Sequence, residues 1–90
     1  MIIDTEKRAK QLDNNFIIPN EVVGLVVLQG YNPIKAWRTH LNLTQDEVAG
    51  TMGISQSTYA QMEASKKPTK RALERAASGL GIKFAEMDFI

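Results

Sequence analysis

The sequence contains no cysteine, and this absence excludes several kinds of site at once. Without thiolates the chain has no disulfide, iron–sulfur cluster, thiolate zinc site or cysteine nucleophile. The single histidine, His40, leaves little scope for acid–base chemistry near neutral pH and lacks the further ligands that a metal site needs. The serines have no neighbouring histidine–acid pair that would activate them. The sequence therefore predicts a protein that is not an enzyme and that needs no cofactor.

Long hydrophobic runs are also missing. The longest apolar run, residues 22–28, is far too short to cross a bilayer. Residues 1–6 lack the basic start and the apolar stretch of a secretion signal, so we expect a cytoplasmic protein without membrane contact. A chain of 90 residues with 43% hydrophobic and 23% charged residues is typical of one small globular domain, here with a short appended arm.

Positive charge is concentrated in one short window. The whole chain carries a net charge of +1, yet residues 64–75 contain five basic side chains and one acidic one. The basic residues of this window are Lys66, Lys67, Lys70, Arg71 and Arg75. Such a cluster on an otherwise balanced chain indicates a docking face for a polyanion, although a lysine-rich solvated surface would give the same pattern.

Helical periodicity and capping signals predict four helices and a short helical turn after residue 32. Asn32 and Pro33 are suited to start the first helix, and Asn42 is suited to end it. Its predicted inner face consists of Ile34, Trp37 and Leu41. Thr44 and Glu47 have the spacing of a capping box, which opens a second helix over about residues 45–52. Its inner residues are Val48, Ala49 and Met52.

The following helices are marked in the same way. Gly53 turns the chain, and Ser55 caps a third helix that reaches about residue 64, with Tyr59 and Met62 facing inward. Thr69 caps a fourth helix that reaches about residue 80. The inner stripe of this helix consists of Leu73, Ala76, Ala77 and Leu80. Residues 83–87 form one further helical turn, through which Phe84 and Met87 fold back onto the core.

The first third of the chain leaves two interpretations open. Residues 20–28 are apolar on almost every side, which favours a short helix ending at Gly30, but their β-branched content permits a strand. In either form we expect this segment to be buried, inside the domain or between subunits. Residues 4–13 show a weak helical stripe behind Asp4 and fit a mobile arm equally well. We treat residues 1–32 as an N-terminal extension and residues 33–90 as the main domain.

Residues 45–63 have the spacing of a helix-turn-helix. Two short capped helices that cross steeply need a small side chain where they touch, here Ala49, and a residue free to adopt positive φ at the turn, here Gly53. In the DNA-binding version, the start of the second helix contacts base edges in the major groove. The exposed positions there include Gln56 and Gln61, whose amides can pair with adenine through two hydrogen bonds.

Residues 38–49, followed by 52–59 and Glu63, resemble the Xre/Cro–cI class of phage-repressor-like helix-turn-helix proteins. The resemblance covers about residues 33–82. It implies an all-α, five-helix, lambda-repressor-like domain, whose third helix reads the groove of double-stranded DNA. It also implies a repressor that binds a palindromic operator as a homodimer and is associated with the nucleoid when bound.

The resemblance also implies roles for individual residues. The positions that match base-reading residues are Gln56, Ser57 and Gln61. The positions that match phosphate-binding residues are Gln45, Lys66, Lys67, Thr69 and Arg71. Arg38 and Glu63 match an ion pair that ties the first helix of such domains to the third.

The sequence departs from the family pattern at two places. The family usually has a glycine shortly after the position of Glu63, where this chain has Ala64 and Ser65. Tyr59 stands where an aliphatic residue is more common, and we expect its hydroxyl to reach the surface and contact a phosphate.

The extension before the helix-turn-helix is similar to that of small bacterial and prophage regulators. Many of these are HigA-like antitoxins, which bind a RelE-like toxin and repress their own operon. Residues 17–23 carry this similarity. The alternative is a stand-alone prophage repressor with no toxin partner.

Overall fold

The computed structural model describes residues 18–89, whose regular structure consists entirely of helices. In chain order these are α1 (Asn20–Val27), α2 (Pro33–His40), α3 (Gln45–Met52), α4 (Gln56–Ala64), α5 (Lys70–Leu80) and α6 (Phe84–Met87). The expected all-α fold is confirmed, and the five helices after residue 32 are those that the capping signals predict. Residues 20–27 form a helix and not a strand. The helix or arm predicted over residues 4–13 lies outside the described residues.

α2 is the central helix, since it packs against α1, α4, α5 and α6. The Asn32 side chain caps its start, Pro33 occupies its first turn, and Asn42 ends it with a φ of 60°. Trp37 is only 4% exposed, and its indole Nε1 donates a hydrogen bond to the Glu86 carbonyl at 3.1 Å. This bond fastens the short α6 onto the core.

α3 and α4 form the predicted pair of short helices. The Thr44 hydroxyl accepts from the Glu47 amide at 3.1 Å, and the Glu47 carboxylate accepts from the Thr44 amide at 2.7 Å, which completes the capping box. Gly53 ends α3 with a φ of 72°, and the Ser55 hydroxyl caps α4. Val48 and Ala49 are buried between α3 and its two neighbours, α4 and α5.

α5 provides the other large apolar surface of the core. Its inner residues are those predicted: Leu73, Ala76, Ala77 and Leu80, all buried. α6 folds back against α5 and buries Met87 completely, while Phe84 is partly buried at the edge of the same core. The core is thus continuous from α2 through α5 to α6.

One prediction about burial is wrong, and a second is met only in part within a single chain. Leu41 is 36% exposed, because α2 ends at His40 and Leu41 belongs to the turn that leads to Asn42. In α1 only Val22 is fully buried within this chain, whereas Val27 is 65% exposed and Leu28 is 79% exposed, so burial of these two residues between subunits stays a prediction. α1 packs mainly on α2, so that only one of its sides is covered by the described part of the chain.

Candidate nucleic-acid interface

One side of α4 is open to solvent at its start and along its length. Gln56, Ser57 and Gln61 are exposed, and Ala60 between them is partly exposed. At 100° per residue these four positions lie within less than half of the helix circumference. Tyr59 lies on the opposite side and is buried in the core. The structure therefore brings the three residues expected to read bases onto one accessible helix face.

A chain of hydrogen bonds connects this face to the interior. The Gln56 amide Nε2 donates to Gln45 Oε1 at 2.5 Å, and the Gln45 amide Nε2 donates to Glu63 Oε1 at 3.0 Å. The bond to Gln45 does not use the side-chain carbonyl oxygen of Gln56 or the second hydrogen of its amide. These two groups are the ones that can pair with adenine. Gln45 keeps one side-chain amide hydrogen and its backbone N–H at the first turn of α3, both of which can hold a phosphate.

Arg38 and Glu63 form the inner end of this chain. The guanidinium donates from Nε to Glu63 Oε2 at 2.5 Å and from Nη2 to Glu63 Oε1 at 3.1 Å, while Nη1 donates to the Leu43 carbonyl at 2.7 Å. The Glu63 side chain is only 3% exposed. Burial alone would raise the pKa of its carboxyl, but the Arg38 guanidinium, the nearby Tyr59 hydroxyl and the Gln45 amide together outweigh burial and lower it. The pair is therefore ionised, and it ties α2 to α4.

The predicted phosphate contact of Tyr59 is wrong. The residue is completely buried, and its hydroxyl has no hydrogen-bond partner of normal geometry among residues 18–89. Burial, together with the nearby Glu63 carboxylate, raises the pKa of this hydroxyl. Tyr59 therefore acts as a core residue of α4 and does not reach a ligand at the surface.

The basic window follows directly after α4. Lys66 and Lys67 are exposed in the connection between α4 and α5, and Arg71 is exposed in the first turn of α5. The Thr69 hydroxyl accepts a hydrogen bond from the Ala72 amide at 3.1 Å, and it can still donate its own hydrogen to a phosphate. Lys70 extends toward the edge of the core, with its Nζ 5.9 Å from the centre of the Phe84 ring.

Sequence reasoning missed two features of this region. It assigned Gln45, Gln56 and Glu63 separately and did not connect them. A signal was present, because Gln45 and Gln56 each directly follow the cap of one of two helices that meet at their starts. It also missed that Asn32, predicted only as a cap of α2, bonds to the end of α4.

Comparison with known proteins gives one family. A model of the family described as helix-turn-helix matches residues 34–87, which is more than half of the chain. The chain therefore belongs to the helix-turn-helix family. The match, together with the exposed face of α4, identifies it as a DNA-binding transcription regulator. Searches of curated proteins and of solved structures gave no significant match.

Residues 18–89 provide neither a cluster of metal ligands nor a membrane-spanning helix. Within residues 18–89, His, Asp and Glu side chains form no group of three that could hold a metal ion. None of the six helices is long and apolar enough to cross a membrane.

Proposed function

We propose that the chain is a sequence-specific repressor that binds a palindromic operator as a homodimer. In this proposal Gln56, Ser57 and Gln61 read bases in the major groove. The observation that carries the proposal is the exposed, uncharged face of α4, which bears two amide side chains and is followed directly by exposed lysines. Amides discriminate between bases, whereas lysines hold the backbone of any sequence.

The phosphate contacts are assigned to the residues around this face. Gln45 contributes its remaining amide hydrogen and its helix N-terminus. The other phosphate-binding residues in the proposal are Lys66, Lys67, Thr69 and Arg71. We place residues 33–90 in the DNA-binding domain and the protein in the cytoplasm, bound to the nucleoid at its operator.

Selection of bound duplexes from a random pool tests this proposal without knowledge of the operator. We expect one enriched motif with two-fold symmetry, whose half-sites are centred about one helical turn apart or a multiple of it. Loss of the enrichment in a Gln56→Ala, Gln61→Ala double variant would show that the exposed face of α4 selects the sequence. Recovery of unrelated sequences by the wild-type protein would contradict sequence-specific binding.

We further propose that the protein is the antitoxin of a toxin–antitoxin pair, with a RelE-like toxin as its partner. The exposed apolar side of α1 favours this proposal over a stand-alone prophage repressor. Val27 and Leu28 lie far from the DNA-reading residues in sequence, and the contacts of α1 are mainly with α2 and not with α4. An apolar surface that takes no part in DNA reading is typical of a protein-binding site.

Coexpression with the product of the adjacent gene tests the antitoxin proposal. We expect the two proteins to purify together. We expect capture to be lost, while operator binding is kept, when residues 1–15 are deleted or when Leu28 on the exposed side of α1 is replaced by Asp. Full capture by the truncated protein would show that this segment is not the binding element. Failure of the intact protein to bind the neighbouring product would favour the stand-alone repressor.

A further inference from the structure

The side chain of Asn32 joins the start of α2 to the end of α4. Its Oδ1 accepts a hydrogen bond from the Lys35 amide at 2.9 Å. Its Nδ2 donates to the carbonyls of Met62 at 2.8 Å and Ser65 at 2.9 Å. Asn32 is 8% exposed, and both hydrogens of its amide are used on the backbone of one distant segment. A residue expected only to cap α2 therefore also holds the end of the DNA-reading helix.

α4 differs from α3 and α5 because it does not end at a left-handed glycine. α3 and α5 end at Gly53 and Gly81, with φ values of 72° and 76°, and left-handed glycines allow the chain to pair the last carbonyls of a helix. α4 ends at Ser65, which is extended with a φ of −71° and a ψ of 130°. The two Asn32 N–H groups donate to the carbonyls at this helix end, where the Met62 carbonyl otherwise accepts only a long bond of 3.4 Å from the Ser65 amide.

The same two bonds fix the beginning of the loop that carries exposed lysines. This loop, residues 65–69, ends at the Thr69 cap of α5. An open groove of about 430 Å³ lies between residues 63–66 on one side and residues 29–32 with Lys35 on the other. The Asn32 amide bridges the two sides of this groove. Lys66 follows directly after the carbonyl that Asn32 holds.

We propose that Asn32 is a positioning residue for DNA binding, which sets the loop of Lys66 and Lys67 against the phosphate backbone. This inference rests on the proposed function, because it assigns those lysines to phosphates. A loop already held in its bound conformation loses less conformational entropy when it binds. Asn32 thus acts on DNA affinity without touching DNA.

Two variants separate the amide donors from the helix cap. Asn32→Asp has the same shape and keeps the oxygen that caps α2, but it replaces both donors by an acceptor. Asn32→Ser is neutral and also keeps a capping oxygen. Val22→Ala is the matched control, because it removes buried methyl groups from α1 and lowers stability without altering the loop. Binding to a random-sequence duplex is measured by fluorescence anisotropy over a range of salt concentrations, at a temperature where circular dichroism shows every protein folded.

We expect both Asn32 variants to bind random DNA roughly ten-fold more weakly than the wild type. The slope of log K against log salt should decrease in magnitude by about one, since the loop that Asn32 no longer holds keeps about one phosphate contact fewer and fewer counterions are released. The Val22→Ala protein should retain the wild-type affinity and slope. Asn32→Ser carries no added charge, so a loss in this variant cannot come from electrostatic repulsion of the DNA.

A double-mutant cycle tests whether Asn32 acts through the lysines. Replacing Lys66 and Lys67 by alanine should cost clearly less affinity in the Asn32→Ser background than in the wild type. The role of Asn32 would be overturned if the lysine replacements reduced affinity equally in the two backgrounds, or if both Asn32 variants bound DNA as the wild type does. The proposed function would not be affected by either result. Absence of salt-dependent binding by the wild-type protein would instead overturn the proposed function on which this role rests.

Discussion

The two glutamines on the exposed face of α4 have different surroundings. Gln56 is held by Gln45 and, through it, by the buried Glu63. Gln61 is exposed one and a half turns further along, and none of residues 18–89 bonds to its side chain. Under the proposed function, Gln56 would therefore meet DNA with its amide already oriented, whereas Gln61 would be oriented by the base that it contacts. This difference was not predictable from residue type, because both residues have the same side chain.

Replacement of Gln61 by alanine tests its assignment to base reading. We expect binding to the selected operator to weaken by roughly 1–3 kcal/mol, with little change on random DNA, because a base contact adds affinity only at the matching sequence. Gln29→Ala is the matched control, since Gln29 is also exposed but lies between α1 and α2. Equal losses on operator and random DNA would contradict a reading role for Gln61.

The Glu63 carboxyl should make stability depend on acid pH. Its pKa is lower in the folded chain than in the unfolded chain, so the unfolded state binds the proton more tightly. The corresponding stability is fully present above the unfolded pKa, about 4.3 to 4.5, and is lost as the pH falls through the lower, folded value. We expect the free energy of unfolding, measured with urea, to fall over this range.

The Glu63→Gln variant provides the comparison for this pH dependence. At neutral pH it should be less stable by roughly 2 kcal/mol, because Arg38 loses its charged partner. Below about pH 4 the difference from the wild type should shrink, since the wild-type carboxyl becomes neutral as well. Parallel stability profiles for the two proteins would show that Glu63 is not the titrating group.

At the scale of the helices, local signals determined most of the fold. Each predicted cap from Asn32 to Thr69 is present, because a cap depends only on residues within four positions of it. The burial of Leu41 was predicted wrongly because helical periodicity does not show where the helix ends. Which side of α1 is exposed could not be predicted, because burial depends on how many other elements surround a helix. Sequence periodicity carries no information on that number.

Gly50 and Gly53, three residues apart, give a prediction at this scale. Gly53 has a φ of 72° at the end of α3, whereas Gly50 lies within α3, and an added Cβ would meet nothing within 4 Å at either position. Gly53→Ala should lower the free energy of unfolding by roughly 1 kcal/mol, because the left-handed conformation is strained for alanine. Gly50→Ala should raise it by about 0.5–1 kcal/mol through higher helix propensity. Thermal unfolding measures both, and changes of the same sign would contradict the turn assignment.

At the scale of the whole molecule, charge distribution and helix spacing predicted where the DNA-binding surface lies. They did not predict the contacts between the helices and loops that form this surface. The basic window and the helix-turn-helix each consist of residues that are close together in the sequence, so both can be recognised from the sequence alone. The bonds from Asn32 to Ser65 and from Gln45 to Gln56 join separate elements, and their formation depends on the crossing of helices.

Sequence-specific DNA binding is the central claim, and a competition titration tests it most directly. Purified protein is titrated onto labelled DNA from immediately upstream of its own gene, at physiological salt with excess random competitor, and fluorescence anisotropy is recorded. We predict binding that the competitor does not remove, on the order of 10³-fold or more tighter than binding to random DNA. Weak binding that the competitor abolishes would contradict an autoregulatory repressor, and the protein-binding role of α1 would then become the leading proposal.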